Sequence, residues 1–293
     1  MNYGHLGKAP IINISINGNE ELYNKFSSKL NLKLPTYGRN DKVVGNVNIS
    51  PSPGKRISHQ GISIRLFGEF KNESMCKVHR FMEKTQNLVP PGMLVDYVQA
   101  KFEFEDLDFP TGTYYGSIMS VIYGVEVVVS HMISDFVVEK EFIVLFSKTQ
   151  PEKKTFQENF GIKKDLMLEI FFPKSNYDIC EQICGGILFL IAKIRISKIL
   201  ISFHRYEVYE DNVNYIKKRT QIKTYEIVDG DVVKGDFIPF RVFIHDCNIW
   251  PYTRFKDSPL KVESYARIQI IDENNKSYYQ KLKLNFDLYG NEE

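Results

Sequence analysis

The chain lacks any apolar run long enough to cross a bilayer. The longest, Ile187 to Ala192, is closed off by glycines and Lys193, whereas a membrane helix needs roughly 20 residues. Its first residues, Met1-Asn2-Tyr3-Gly4-His5, show neither the charged-then-apolar layout of a signal peptide nor the glycine after methionine that myristoylation requires. A cytoplasmic protein is expected. Cysteine is scarce, with four in 293 residues. Cys76 and Cys247 stand alone, and the spacing of Cys180 and Cys184 matches no zinc ribbon, so all four are read as reduced core residues. An excess of charge of one sign is also missing. Divided after Gln150, the halves carry 16 basic against 15 acidic residues and 22 against 21. That balance argues against a general nucleic-acid binder, which concentrates positive charge.

Catalytic signatures are absent too. The six histidines, His5, His59, His79, His131, His204 and His245, fall in no metal-binding motif, and no Gly-x-Ser-x-Gly elbow occurs. Each histidine is read as structural. Gly45 to Lys55 only superficially resembles a phosphate loop: Ile49 stands where the first glycine is needed, and Arg56 replaces the magnesium-binding hydroxyl. The acidic group Glu103, Glu105, Asp106 and Asp108 begins in alternation with Phe102 and Phe104, the mark of a solvated strand face rather than of a catalytic carboxylate pair. Neither an enzyme activity nor a cofactor is expected.

What the sequence has in quantity is period-two alternation, as in Ile12 to Ile16, Arg267 to Ile270 and Lys281 to Leu288, which puts apolar side chains on one strand face. Tyrosine and phenylalanine number 17 and 21 and favour pleated surfaces. Glu20 to Leu30 reads either as a short helix with Leu22, Phe26 and Leu30 on one face or as a structured loop. Many strands without intervening helical patterns argue for antiparallel sandwiches. A faint repeat points to two of them. Val43-Val44-Gly45-Asn46-Val47 is echoed by Ile183-Cys184-Gly185-Gly186-Ile187, and the tyrosine of Val121-Ile122-Tyr123 by that of Val262-Glu263-Ser264-Tyr265. The polar stretch Thr149 to Lys154 is taken as the linker. The expected fold is all-β, with tandem sandwiches over residues 1–150 and 151–293.

Several surface features remain. Pro53-Gly54 reads as a turn before the basic pair Lys55-Arg56, and Ile62, Ile64 and Leu66 mark a half-buried strand after Gly61. Lys193, Arg195 and the triplet Lys217-Lys218-Arg219 are read mainly as solvent-side strand residues, with an anionic membrane as the competing reading. Trp250, the only tryptophan, lies in a loop with Pro251 and Tyr252, where it either caps a core or anchors a partner.

Two stretches resemble one family. They are Pro53-Gly54-Lys55-Arg56-Ile57-Ser58-His59-Gln60-Gly61-Ile62, and Tyr225-Glu226-Ile227-Val228-Asp229-Gly230 with Lys234-Gly235 and Ile238-Pro239. Both are similar to signatures of the vacuolar protein sorting 26 family, the arrestin-like subunit of the retromer coat, and the similarity runs from about Ile11 to Leu288. The resemblance implies a noncatalytic, bilobed arrestin-like subunit, cytoplasmic and peripheral on endosome membranes. It also implies binding to the helical-solenoid scaffold subunit, vacuolar protein sorting 35, within a complex that holds a phosphoesterase-like third subunit. With sorting nexins, such a coat retrieves transmembrane cargo tails from endosomes to the Golgi or the plasma membrane.

Residue by residue, the resemblance assigns scaffold binding to the apolar pair Ile227 and Val228 beside Asp229, and to the loop carrying Trp250, Pro251 and Tyr252. Read from the residues alone, the pair is an ordinary hairpin shoulder. The resemblance puts Tyr279 in a cargo and sorting-nexin pocket, where the family has phenylalanine. Arg39 stands near where some relatives have an acidic residue, so a PDZ-containing nexin is not assumed. Two other readings compete: the paralogue in the retriever complex, and a free-standing arrestin-domain adaptor. The second is expected to carry Pro-Pro-x-Tyr, which Pro90-Pro91-Gly92-Met93 misses at its last position.

Overall fold

The computed structural model describes residues 9–72, 77–149, 154–162, 164–179, 181–244, 247, 249–251 and 259–290. They form strands almost throughout, with one α-helix among them. The chain divides into two compact units, Met1–Tyr115 with Met119–Phe146, and Gly116–Ile118 with Ser147–Glu293.

In the first unit, Ile11–Asn17, Val43–Ser50 and Val98–Phe104 make a three-stranded sheet. The larger sheet runs Phe136–Val144, Ser120–Val129, Ile62–Asn72 and Lys77–Val89, extended by the short strands Thr36–Tyr37 and Tyr114–Tyr115. Alternate residues such as Ile64, Leu66, Val125, Val127 and Phe142 are fully buried, as are Val43, Val47 and Ile49 of the smaller sheet, so the core lies between the sheets. The ambiguous segment is a helix, Glu20–Leu30. Asn19 caps it by accepting the Leu22 N–H at 3.1 Å, Asn31 ends it in the left-handed region, and Phe26 and Leu30 are its buried residues.

The second unit repeats the plan. Leu166–Phe172, Gln182–Ala192 and Phe237–Phe243 form one sheet, with Phe156–Ile162 added outside Leu166–Phe172. The other sheet runs Ser277–Lys283, Leu260–Asp272, Ile196–Glu210 and Tyr215–Asp229. Corresponding strands follow in the same chain order in both units. The antiparallel plan is supplemented by short parallel pairs, Lys148–Thr149 with Tyr289–Gly290 and Asn176–Asp178 with Asn285–Asp287. The second unit thus opens with a strand that covers the first residue of the expected linker, while Gln150 to Lys153 lie outside the described residues.

The glycine echo has one physical cause in both units. Across the sheet Gly45 faces Phe102 and Gly185 faces Phe240. A Cβ on Gly45 would lie 2.6 Å from the Phe102 ring and 2.2 Å from the Ser15 carbonyl oxygen, and one on Gly185 would lie 2.3 Å from Phe240 and 2.6 Å from the Phe171 oxygen. Each glycine is the seat of a phenylalanine ring. The tyrosine echo falls on equivalent strands but on opposite faces. Tyr123 points into the core and donates its hydroxyl to the Thr111 carbonyl at 2.7 Å, whereas Tyr265 stacks against His204 at 5.0 Å on the outer face of its sheet.

Candidate functional site

Among the described residues the Tyr215–Asp229 strand is an edge of its sheet, paired only with Ile196–Glu210. Near its end the register shifts: Glu226 pairs with Leu200 and Val228 with Ile199, so Ile227 has no partner of its own. A bulge of this kind breaks the strict alternation of faces. Two consecutive apolar residues, Ile227 and Val228, are consequently both half-buried, and Asp229 is exposed beside them. The chain then turns through Gly230 at φ +107°, whose N–H donates to the Ser197 oxygen at 2.8 Å. The Asp231 carboxylate accepts the Ile196 N–H at 3.0 Å and Val233 is left exposed. The strand end is a fixed apolar shoulder rather than a loose tip.

The loop after Phe243 is tied to the middle of this strand. Tyr225 donates its hydroxyl to the Phe243 carbonyl, and Cys247 Sγ lies 3.9 Å from the Ile222 oxygen. Trp250 is only 7% exposed, and Ile249 and Pro251 are buried with it. Of its two sequence readings, the observed burial is that of a core cap. Trp250 also lines an open pocket of about 440 Å³ with Lys148, Arg205, Glu263, Lys283 and Asp287. Burial raises the Asp287 carboxyl above its ordinary range, opposed by the Lys148 ammonium paired with it. Tyr252 lies outside the described residues.

Tyr279 sits on the opposite edge of the same sheet, in Ser277–Lys283, and is 61% exposed. The Arg267 guanidinium lies over its ring at 4.2 Å. The two sets of residues singled out in the sequence therefore flank one four-stranded sheet, on its two outer strands, and form no single cluster.

Between them lies a feature that sequence reasoning saw only in part. Of the triplet 217–219, Lys217 and Arg219 share the outer face, opposite Val208 and Tyr206. The neighbouring strands add Arg267, Lys281 and Lys283 to that face. Lys217 lies 4.6 Å from the Tyr206 ring, and Lys281 lies 4.1 Å from Tyr265 and 5.2 Å from Tyr206. Beneath them His204 is 1% exposed, with Nε2 2.9 Å from the Ser202 hydroxyl. Burial, reinforced by Arg219, Arg267 and Lys281, pushes its pKa down to about 4. Only cross-strand pairing assembles this set, so the signal in the sequence was limited to the 217–219 run. Lys193 and Arg195 are not strand residues: they occupy the connection before Ile196–Glu210, where Arg195 pairs with Glu273 at 3.3 Å.

The acidic group of the first unit is a solvated face, as its alternation implied. Lys42 reaches Glu103 at 2.5 Å and Glu105 at 3.8 Å, while Phe102 and Phe104 are buried behind them. Arg39 pairs with Asp108 at 2.9 Å. Among the described residues no three His, Cys, Asp or Glu side chains are grouped to hold a metal ion, and no helix is long and apolar enough to cross a membrane.

A repeated sandwich with one strand plan, edge strands left open and apolar residues held at a strand end defines an arrestin-like double β-sandwich protein. The chain belongs to the Vps26 family: the family model described as vacuolar protein sorting-associated protein 26 matches residues 9–275. It is 26% identical over 254 residues to vacuolar protein sorting-associated protein 26 of Schizosaccharomyces pombe, covering 86% of this chain and 85% of that protein. It is 26% identical over 255 residues to the protein of that name from Plasmodium falciparum, covering 86% of each. Similarity to vacuolar protein sorting-associated protein 26B of Mus musculus is 29% over 244 residues, covering 82% of this chain and 73% of that protein. These names are of protein sorting rather than of a catalysed reaction.

Proposed function

We propose that this chain is a noncatalytic retromer subunit that binds the vacuolar protein sorting 35 scaffold through the Ile227-Val228-Asp229 shoulder. The observation that carries the reading is the bulge, which leaves two adjacent apolar side chains half-covered at the end of an edge strand. Such a shoulder offers an apolar centre with a polar rim, the anatomy of a protein interface. The loop holding Trp250 and Pro251 supports the same strand, so its part is to fix the shoulder, with Tyr252 as a further candidate contact. The exposed Tyr279 on the far edge suits strand addition by an extended cargo segment, with sorting nexins as co-receptors. The protein then acts on the cytoplasmic face of endosomes, peripherally, in retrieval of membrane proteins, without nucleic acid or cofactor.

The test is calorimetric titration against the N-terminal segment of the scaffold, with Ile227→Asp beside the parent chain. The substitution is expected to weaken binding by at least ~2 kcal/mol, as at an interface hot spot, with thermal unfolding unchanged. Equal binding by a folded variant moves the interface elsewhere. Absence of binding by both brings forward the retriever-type or free-standing adaptor reading.

A further inference from the structure

The outer face of the Tyr215–Asp229, Ile196–Glu210, Leu260–Asp272 and Ser277–Lys283 sheet concentrates charge that the near-neutral composition conceals. Lys217, Arg219, Arg267, Lys281 and Lys283 share it with the carboxylates of Glu263, opposite Tyr206 on the Leu260–Asp272 strand and 4.0 Å from Lys283, and of Glu226, on the edge strand opposite Leu200, so cations outnumber carboxylates among these residues. Lys217, Arg267 and Lys281 rest on tyrosine rings, at 4.6, 4.2 and 4.1 Å. A ring holds a cation through its quadrupole and leaves the full charge uncancelled. The floor agrees: among the described residues the buried His204 ring has no hydrogen-bond partner on Nδ1, and Arg267 Nε, also buried, has none either.

The geometry points to a docking site for an acidic, extended peptide segment of a protein partner on this face. Its cations are paired along the strands, Lys217 with Arg219 and Lys281 with Lys283. Residues two apart on a strand repeat every ~7 Å, and an extended peptide presents the carboxylates of alternate residues at the same repeat. The two pairs stand three strand spacings apart, about 14 Å, with Arg267 between them. A peptide crossing the sheet meets cations on three of its four strands, and passes the tyrosine rings of Tyr206 and Tyr265 and the carboxylate of Glu263. A lipid surface fits less well, because the exposed large residues of these strands on this face are Tyr215 and Tyr279, one on each edge strand and each ending in a hydroxyl, with the Arg267 guanidinium over the Tyr279 ring, so no exposed aliphatic wedge stands among the cations. The site is separate from the scaffold shoulder and does not depend on that assignment.

The experiment is fluorescence anisotropy on the full chain with a labelled decapeptide of alternating glutamate and serine, and its glutamine counterpart as control. The glutamate peptide is expected to bind with an affinity that falls as salt rises, and the glutamine peptide to show no binding. Lys217→Glu with Lys281→Glu is expected to weaken binding at least tenfold. Arg219→Glu with Lys283→Glu, whose side chains rest on no ring among the described residues, is expected to do the same with thermal unfolding unchanged. Lys25→Glu with Lys29→Glu, on the helix of the first unit, is the control for net charge. A loss equal to that of the sheet variants, or no binding of the glutamate peptide, overturns the proposal. Sedimentation with phosphatidylcholine vesicles containing phosphatidylserine is the remaining arm: binding to them that exceeds peptide binding and is abolished in the sheet variants also overturns it, assigning the face to membranes.

Discussion

The same four-strand sheet occurs in both units, and its outer face is completed in opposite ways. In the first unit Glu126, 3% exposed, lies 2.8 Å from Arg65 and 2.7 Å from Arg80, and Arg80 also has Glu83 at 3.1 Å and Glu69 at 3.7 Å. The Arg80 guanidinium covers Phe67 at 4.8 Å as well. In the second unit tyrosines take the places beside the central cations, and Glu263, opposite Tyr206, is exposed with Lys283 no nearer than 4.0 Å. A carboxylate cancels a cation; a ring merely seats it. The first face is thus an internal ion network that stabilises its sheet, and the second keeps its charge available to a partner.

The largest effect expected from this difference is on stability. Glu126→Gln leaves Arg65 and Arg80 half-buried without their central counter-charge, and breaking one side of such a network costs about 3 kcal/mol or more. Urea denaturation reads it directly. Glu263→Gln, an exposed residue with its cation at 4.0 Å, is expected to change stability by less than about 0.5 kcal/mol. Equal costs break the comparison.

Next in size is a pH effect of opposite sign in the two units. His204 has a folded pKa of about 4, well below the ordinary histidine value of 6.5, through burial first and then Arg219, Arg267 and Lys281. The unfolded chain therefore binds the proton first as pH falls, and stability is lost progressively from about pH 6.5 to about pH 4, by up to about 3 kcal/mol. Glu69 is shifted upward by burial, against the pull of Arg80, so its folded form takes up a proton before the unfolded chain does and gains stability as pH falls through its raised pKa. Hydrogen exchange corrected for intrinsic rates is expected to show protection of Ile196–Glu210 declining from pH 7 to pH 4 while that of Ile62–Asn72 is held. His204→Gln flattens the first trend. An unchanged trend in that variant removes His204 as the cause.

How far the sequence foretold this depends on the range of each interaction. Alternation and turn residues act between near neighbours, so the strand-rich fold, the Pro53-Gly54 turn, which has Gly54 at φ +72°, and the acidic face beside Phe102 and Phe104 were all legible. The helix stayed ambiguous because its stability rests on burial of Phe26 and Leu30 and on the Asn19 cap, which is itself held by Asp41 at 2.9 Å, 22 residues away. Lys193 and Arg195 were misplaced because alternation continued through a connection that the backbone interrupts. The cation-bearing face was unreadable for a stronger reason. Charge counts along a chain ignore sidedness, and Arg267 and Lys281 join Lys217 and Arg219 only through cross-strand pairing. Likewise the motif marked Ile227 and Val228, but only the register shift shows how two neighbours come to be half-exposed together.

The smallest effect tests whether the units share an origin in physics as well as in strand order. If Gly45 and Gly185 are equivalent seats, alanine at either must displace a phenylalanine ring and press on a carbonyl oxygen, since the added carbon would stand 2.2 to 2.6 Å from those atoms. Overpacking of this kind costs about 1 to 3 kcal/mol, and the two variants are expected to lose about 2 kcal/mol each in denaturant unfolding. The paired truncations Phe102→Leu and Phe240→Leu make room, so each is expected to recover part of its own alanine variant's loss and none of the other's. Rescue in only one unit means that the echo at Gly45 and Gly185 is a likeness of sequence, and that one phenylalanine has found a different way to pack.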